Sequence, residues 1–265
     1  MSVKKKNISA SHTMELPRQI VVGEKNIDHV GEFLKSLSKP KKVSIISGKN
    51  VKKIIGERID NSLKKSRIVG IWHPAVSNQV NELNNTEKKV RKDNSDLIIG
   101  LGGGRSVDVA KMCSFNLKIP FVSIPTSASH DGIASPFVSI RGEKPHSLVA
   151  TAPLGVFVDV DIIKRAPRKL TASGCGDLMA KITAVKDWEL SRDKTGEYYG
   201  RYSADLAAMS AKILVENASD FSKNGLDVRV VVEALISAGV ASCIAGSSRP
   251  CSGADHLFSH SVDHL

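Results

Sequence analysis

The chain has 265 residues, 41% hydrophobic and 25% charged, which is enough for one large or two ordinary domains around a real core. Its formal charge is +11, but the lysines and arginines are spread through helix-like stretches and only 5% of residues are aromatic, so a nucleic-acid platform is not expected. Four cysteines without CxxC or zinc-finger spacing argue against a disulfide frame, and no apolar stretch reads as long enough to span a bilayer, so a cytoplasmic protein with no integral membrane segment is expected.

Residues 1–15 are basic and polar, without the apolar run of a secretory signal, and are expected to be a disordered tail. Short apolar runs then alternate with amphipathic stretches. Strands are predicted at Arg18–Val22, Val43–Ser47, Ile68–Trp72, Leu97–Gly100, Phe121–Ile124 and Val156–Asp159. Helices are predicted at Asp28–Leu37, Asn50–Ser62, Ser77–Lys92 and Ser106–Phe115. Runs such as VSII and DLIIG suit strands buried on both faces of a parallel α/β sheet. Phe137–Leu148 departs from this, with two short runs flanking a Gly/Pro turn that predict a hairpin. Beyond about Lys164 strand signals become rare. Helices are predicted at Cys175–Ser191, Ser203–Asn217, Val228–Ala245 and from Gly253 onward. A boundary near Pro167 gives a nucleotide-binding α/β domain over 16–166 and an α-helical domain over 167–265.

The strongest local signal is DLIIGLGGGRSVDVAK, a buried strand running through Gly102, Gly103 and Gly104 into a helix that starts near Arg105 or Ser106. Such a turn lets the backbone approach a ligand, and the free N–H groups and dipole of the following helix favour an anion, so a pyrophosphate fits there. Ser106 can donate a hydroxyl. Asp108, an anion in the first turn, is expected to face away from phosphate and cap the helix or hold the loop. In the helical half, Asp177 follows a Gly-rich stretch that reads as a turn before a helix start, while His256, His260 and His264 fall on one helical face. Carboxylate oxygen and imidazole nitrogen suit zinc or ferrous iron.

The glycine motif resembles GGGxxxDxAK of the superfamily of iron-containing alcohol dehydrogenases, glycerol dehydrogenases and dehydroquinate synthases. With IPTSASHDGIASP and SSRPCSGADHLFSH, it resembles the sn-glycerol-1-phosphate dehydrogenase branch. The resemblance runs from about Leu16 to the end of the chain. It implies a Rossmann-like parallel-sheet domain followed by an all-α, dehydroquinate synthase-like domain, here incomplete. It also implies the NAD(P)H-dependent reduction of dihydroxyacetone phosphate to sn-glycerol 1-phosphate, the backbone of archaeal membrane phospholipids. By this resemblance Gly102, Gly103, Gly104, Arg105, Ser106, Val107 and Asp108, then Thr126, Ser127, Ala128 and Ser129, contact NADPH or NADH, and Ser135 lies at the nicotinamide end. Asp131 contacts substrate, Asp177 and His256 hold Zn2+ or Fe2+, and His260 lies near the substrate together with Asp177. The third metal ligand of that branch, a histidine in an HGEQ-like segment, is expected beyond Leu265. A homo-oligomer is expected.

No carboxylate follows the second strand, where Lys49, Lys52 and Lys53 cluster, which permits NADPH as well as NADH. Arg249 is a guess for the substrate phosphate. A related glycerol or alcohol dehydrogenase, or an inactive fragment that keeps nucleotide binding, remains open from the sequence.

Overall fold

The computed structural model describes residues 12–75, 80–140, 146–219 and 225–262. The expected tail as far as residue 11, the hairpin turn at 141–145 and His264 lie outside the described residues.

The first half alternates strand and helix, as the apolar periodicity predicts. Strands β1 (Gln19–Gly23), β2 (Lys42–Ser47), β3 (Val69–Pro74), β4 (Leu97–Gly102), β5 (Phe121–Pro125) and, after a hairpin, β8 (Gly155–Asp159) form a six-stranded sheet in the order β1-β8-β5-β4-β2-β3. Every pairing in it is parallel. Helices α1 (Val30–Leu37), α2 (Lys49–Lys65), α3 (Val80–Asp93) and α4 (Gly104–Leu117) make the crossovers. The central strands β4, β5 and β8 are buried along their whole length, which is why they read as unbroken apolar runs, while the edges β1 and β3 are partly exposed. The predicted hairpin is a separate antiparallel pair, β6 (Phe137–Ile140) with β7 (His146–Val149).

Asp96 fixes where β2 starts beside β4. Its Oδ2 accepts the backbone N–H groups of Lys41 (2.8 Å) and Lys42 (3.0 Å). These two N–H donors hold its carboxyl below the ordinary aspartate value. A depressed folded-state value means stability that is present above the unfolded value and lost as pH falls through the folded one. Asp96→Ala is therefore expected to cost about 0.5–1 kcal/mol at neutral pH, kept small by solvent exposure. The gap to wild type should narrow in melts as pH falls below the ordinary aspartate value and close once the folded carboxyl is protonated.

The chain continues into α5 (Val160–Lys164), α6 (Arg168–Thr195), α7 (Arg201–Glu216), α8 (Val228–Ala245) and α9 (Ala254–Val262). Helix α6 begins far earlier than predicted. Gly174 and Gly176 read as a turn but lie within the helix, so Asp177 projects from its interior and not from its start. At Gly174 close contact with Ala128 overrides glycine's weak helix propensity. Helix α8 corrects the expectation about apolar stretches, because by length and composition it could cross a bilayer. It is instead a core helix. Its Val231, Val232, Leu235 and Ala238 are buried with Leu178 of α6, Ala207 of α7 and Val156 and Val158 of β8, so the helical half shares a core with the sheet.

Candidate active site

Strand order reverses between β2 and β4, and in parallel α/β sheets a cleft opens at the carboxyl ends beside such a reversal. A cavity of about 580 Å³ lies there. Its wall takes Asn50 and Val51 after β2, Gly103 after β4, Thr126 and Ser127 after β5, and Asp159 at the end of β8. Gly102 sits at φ +146°, a conformation that favours glycine, and its carbonyl accepts the N–H of Thr126 at 2.9 Å, tying the two loops together. Helix α4 starts at Gly104 behind Gly103, which has no side chain to cap it.

Asp108 lies off the larger cavity, as expected of an anion, but it is no helix cap. It lies in the second turn of α4, buried, with Oδ2 accepting from the N–H of Ser139 on β6 at 3.5 Å, so it caps nothing. Burial raises its carboxyl above the ordinary value, against the pull of Lys111. The side chains of Val107 and Ala128 turn into the core, so only their backbone can face a ligand. Ser106 is buried beside Gly102, and Arg105 is exposed. The expected lysine patch does not reach the cavity wall among the described residues. Lys52 lies over the ring of Trp72, and the basic groups on the wall are Lys25, Arg58 and Arg165.

A second cavity, about 220 Å³, is lined by His130, Asp131, Ser135, Asp177 and His256 among others. The segment from Thr126 to Ser135 therefore serves both cavities. Two helix glycines let it lie close to the helical half. A Cβ on Gly174 would stand 2.2 Å from the Ala128 carbonyl oxygen, and one on Gly239 would stand 2.6 Å from that of Asp131.

The carboxylates of the second cavity are held by buried charge. Lys181 Nζ lies 2.7 Å from Asp131 Oδ2 and 3.0 Å from Asp177 Oδ2, with its side chain 0% exposed. Burial alone would lower the Lys181 ammonium, but Asp131 and its neighbours hold it above the usual lysine value. Burial likewise pushes Asp177 up, and Lys181 with His256 reverses this, leaving it below the ordinary range. His256 Nε2 lies 3.7 Å from Asp177 Oδ1, and this nearby carboxylate raises its imidazole above the ordinary value. Its Nδ1 meets Asp255 Oδ2 at 2.6 Å, and such a carboxylate partner fixes the ring and puts the proton of a neutral imidazole on Nδ1. His130 Nδ1 accepts the N–H of Gly132 at 3.0 Å, which places the proton of a neutral ring on Nε2. The buried thiols of Cys113 and Cys243 are pushed up to about 12, which removes them as nucleophiles.

Residues 21–167 match the family of iron-containing alcohol dehydrogenases. The sequence is 69% identical over 255 residues to glycerol-1-phosphate dehydrogenase (NAD(P)+) of Nitrosopumilus maritimus, covering 96% of this chain and 72% of that protein. It is 63% identical to the enzyme of the same name from Cenarchaeum symbiosum, with the same coverage. The chain belongs to the iron-containing alcohol dehydrogenase family. Among solved structures of the family's fold, glycerol dehydrogenase from Schizosaccharomyces pombe superposes with TM-score 0.77 at 23% identity, over 88% of this chain and 62% of that one. The chain thus spans less than two thirds of that structure.

A resident metal is implied by the family, and the donors fit it in kind. Carboxylate oxygen and imidazole nitrogen converge at 3.7 Å, near the roughly 3.4 Å that separates two donors on one tetrahedral metal with bonds of about 2.1 Å. Among the described residues no third His, Cys, Asp or Glu joins them. Arg249 is already committed, forking onto Glu197 at 2.7 and 2.6 Å, so it is no free phosphate ligand. His260 belongs to α9, and its side chain is outside what is described. Sequence reasoning missed Lys181, Lys111, His130 and Asp255. Only the i,i+4 spacing of Asp177 and Lys181 could have signalled the first.

Proposed function

We propose that this chain reduces dihydroxyacetone phosphate with NADPH or NADH, giving sn-glycerol 1-phosphate. The observation that carries the reading is the shared segment Thr126–Ser135. Thr126 and Ser127 line the larger cavity, while His130, Asp131 and Ser135 line the smaller, so a dinucleotide in the first points its nicotinamide at a substrate in the second. The names of the Nitrosopumilus and Cenarchaeum relatives support the same cofactor and product.

In this reading Gly102–Val107 bind the diphosphate at the start of α4, Asp108 faces the second cavity, and Thr126–Ser129 with Ser135 place the nicotinamide. Zn2+ or Fe2+ held by Asp177 and His256 supplies Lewis acidity for the carbonyl. Asp131 accepts a hydrogen bond from a substrate hydroxyl, and His260 is the group proposed to hand over the proton. Residues 16–166 bind nucleotide, and 167–265 carry the metal and substrate groups. Burial of α8 in the core supports a cytoplasmic enzyme without a membrane span. Exposed Leu190, Tyr202 and Met209 on α6 and α7 support a homo-oligomer.

The test follows NADPH absorbance with zinc present. Oxidation is expected with dihydroxyacetone phosphate, to be suppressed by a chelator, and to be at least about tenfold slower with unphosphorylated dihydroxyacetone. Equal or faster turnover of the unphosphorylated ketone would move the chain to a glycerol dehydrogenase.

A further inference from the structure

We infer that Lys181 is a positioning residue that assigns the oxygens of Asp131 and Asp177 and serves as their resident counter-charge. The inference rests on the proposed roles of those two aspartates. An ammonium has three N–H donors. Those of Lys181 meet three acceptors, Asp131 Oδ2 at 2.7 Å, Asp177 Oδ2 at 3.0 Å and the Cys251 carbonyl at 3.3 Å. Asp177 Oδ2 also accepts the N–H of Asp131 at 2.9 Å. That oxygen is fully used, and Oδ1, facing His256, is left for a metal. Lys181 takes one oxygen of Asp131 in the same way.

Its three partners come from three places: the loop after β5, helix α6 itself and the turn before α9. Lys181 thus joins the cofactor-side loop to the two elements that carry Asp177 and His256. It does not line the cavity, so it acts through the carboxylates and not on substrate. Two buried carboxylates side by side repel, and a cation between them removes the repulsion. The same cation repels an incoming divalent ion. Lys181 therefore keeps the metal-free site assembled while holding its metal affinity down.

Three proteins separate this role from ordinary packing: wild type, Lys181→Met, and Lys181→Met combined with Asp131→Asn. The double variant has the same site charge as wild type. Without metal, the single variant is expected to melt roughly 10 °C lower, because breaking a buried pair leaves a charge uncompensated. The added Asp131→Asn is expected to recover most of that loss. In chelator competition, zinc should bind the single variant about tenfold more tightly than wild type, and the double variant about as tightly as wild type. A double variant no more stable than the single one would overturn the counter-charge role, since lost packing is not repaired by neutralising Asp131. Unchanged or weaker zinc binding by a folded single variant would overturn it too. If the single variant does not fold, a folded double variant supports the counter-charge role and an unfolded one overturns it. No zinc binding by wild type would remove the metal assignment of Asp177 and His256, and the melts without metal would still decide the role of Lys181.

Discussion

Gly174→Ala is expected to disable both cavities at once, although the residue lines neither. The added Cβ would fall 2.2 Å from the carbonyl oxygen of Ala128, a backbone atom that cannot rotate away. Either α6 or the loop must retreat by roughly 1 Å. Overpacking of this kind costs about 1–3 kcal/mol. The functional loss should be larger, because a displacement of about 1 Å at a reacting geometry can cost about 10²-fold. Ser127 and Thr126 on one side and Asp131 on the other move with Ala128, so NADPH affinity and turnover should fall together. Gly176→Ala, two residues on in the same helix, is the control. Its Cβ meets nothing within 4 Å, and alanine favours a helix over glycine by about 1 kcal/mol, so that variant should match or exceed wild type in stability. Fluorescence titration with NADPH and a thermal melt of both variants would decide the matter. Equal behaviour of the two would show that the clamp on the loop is unimportant.

Asp177→Asn should leave the fold and the dinucleotide cavity in place and remove the metal. The side chain keeps its size, and no part of it lines the larger cavity. It loses the charge that His256 and Lys181 both face. Zinc affinity measured by chelator competition is expected to fall at least about 100-fold. Turnover should drop by about 10³, the several kcal/mol that a Lewis acid contributes. NADPH should bind within about twofold of wild type. A parallel loss of NADPH binding would mean that Asp177 holds the loop, through the N–H of Asp131, more than it holds a metal.

Much of the α/β half was legible in the sequence because buried parallel strands write themselves as apolar runs with glycine punctuation. VSIIS, LIIGLG and FVSIP mark β2, β4 and β5 to within a residue or two. Gly102 was legible because its backbone conformation favours glycine, and Asp177 and His256 were marked by the family resemblance, a pair that the fold brings to 3.7 Å of each other. The site was opaque where a side chain's role depends on what the fold brings near it. Lys111 and Lys181 look like any solvated helix lysines, yet both are 0% exposed, and one holds the carbonyls of Gly132 and Phe137 while the other bridges two aspartates. Arg249 erred the other way, because no local pattern reveals Glu197 as its partner. The turn read at Gly174 and Gly176 failed for a related reason. At Gly174 glycine reflects a neighbour across the interface and not a bend in its own backbone, while Gly176 stands in open space within the same helix.

The pairing of β1 with β8 has a consequence for how the chain is made. Gln19 registers against Gly155 and Gly23 against Asp159, and Asp159 also receives the N–H of Ile27. Strand β1 therefore leaves the ribosome well before β8, the strand it pairs with, and waits for it. Until then it is an unpaired edge, the kind of surface that recruits foreign strands. A nascent chain stalled before residue 155 would have β2 to β5 available but no seat for β1, and the nucleotide cavity would lack the wall that Asp159 provides. Closing so long a loop is slow, so the N-terminal strand should be the last part of the sheet to gain protection during synthesis.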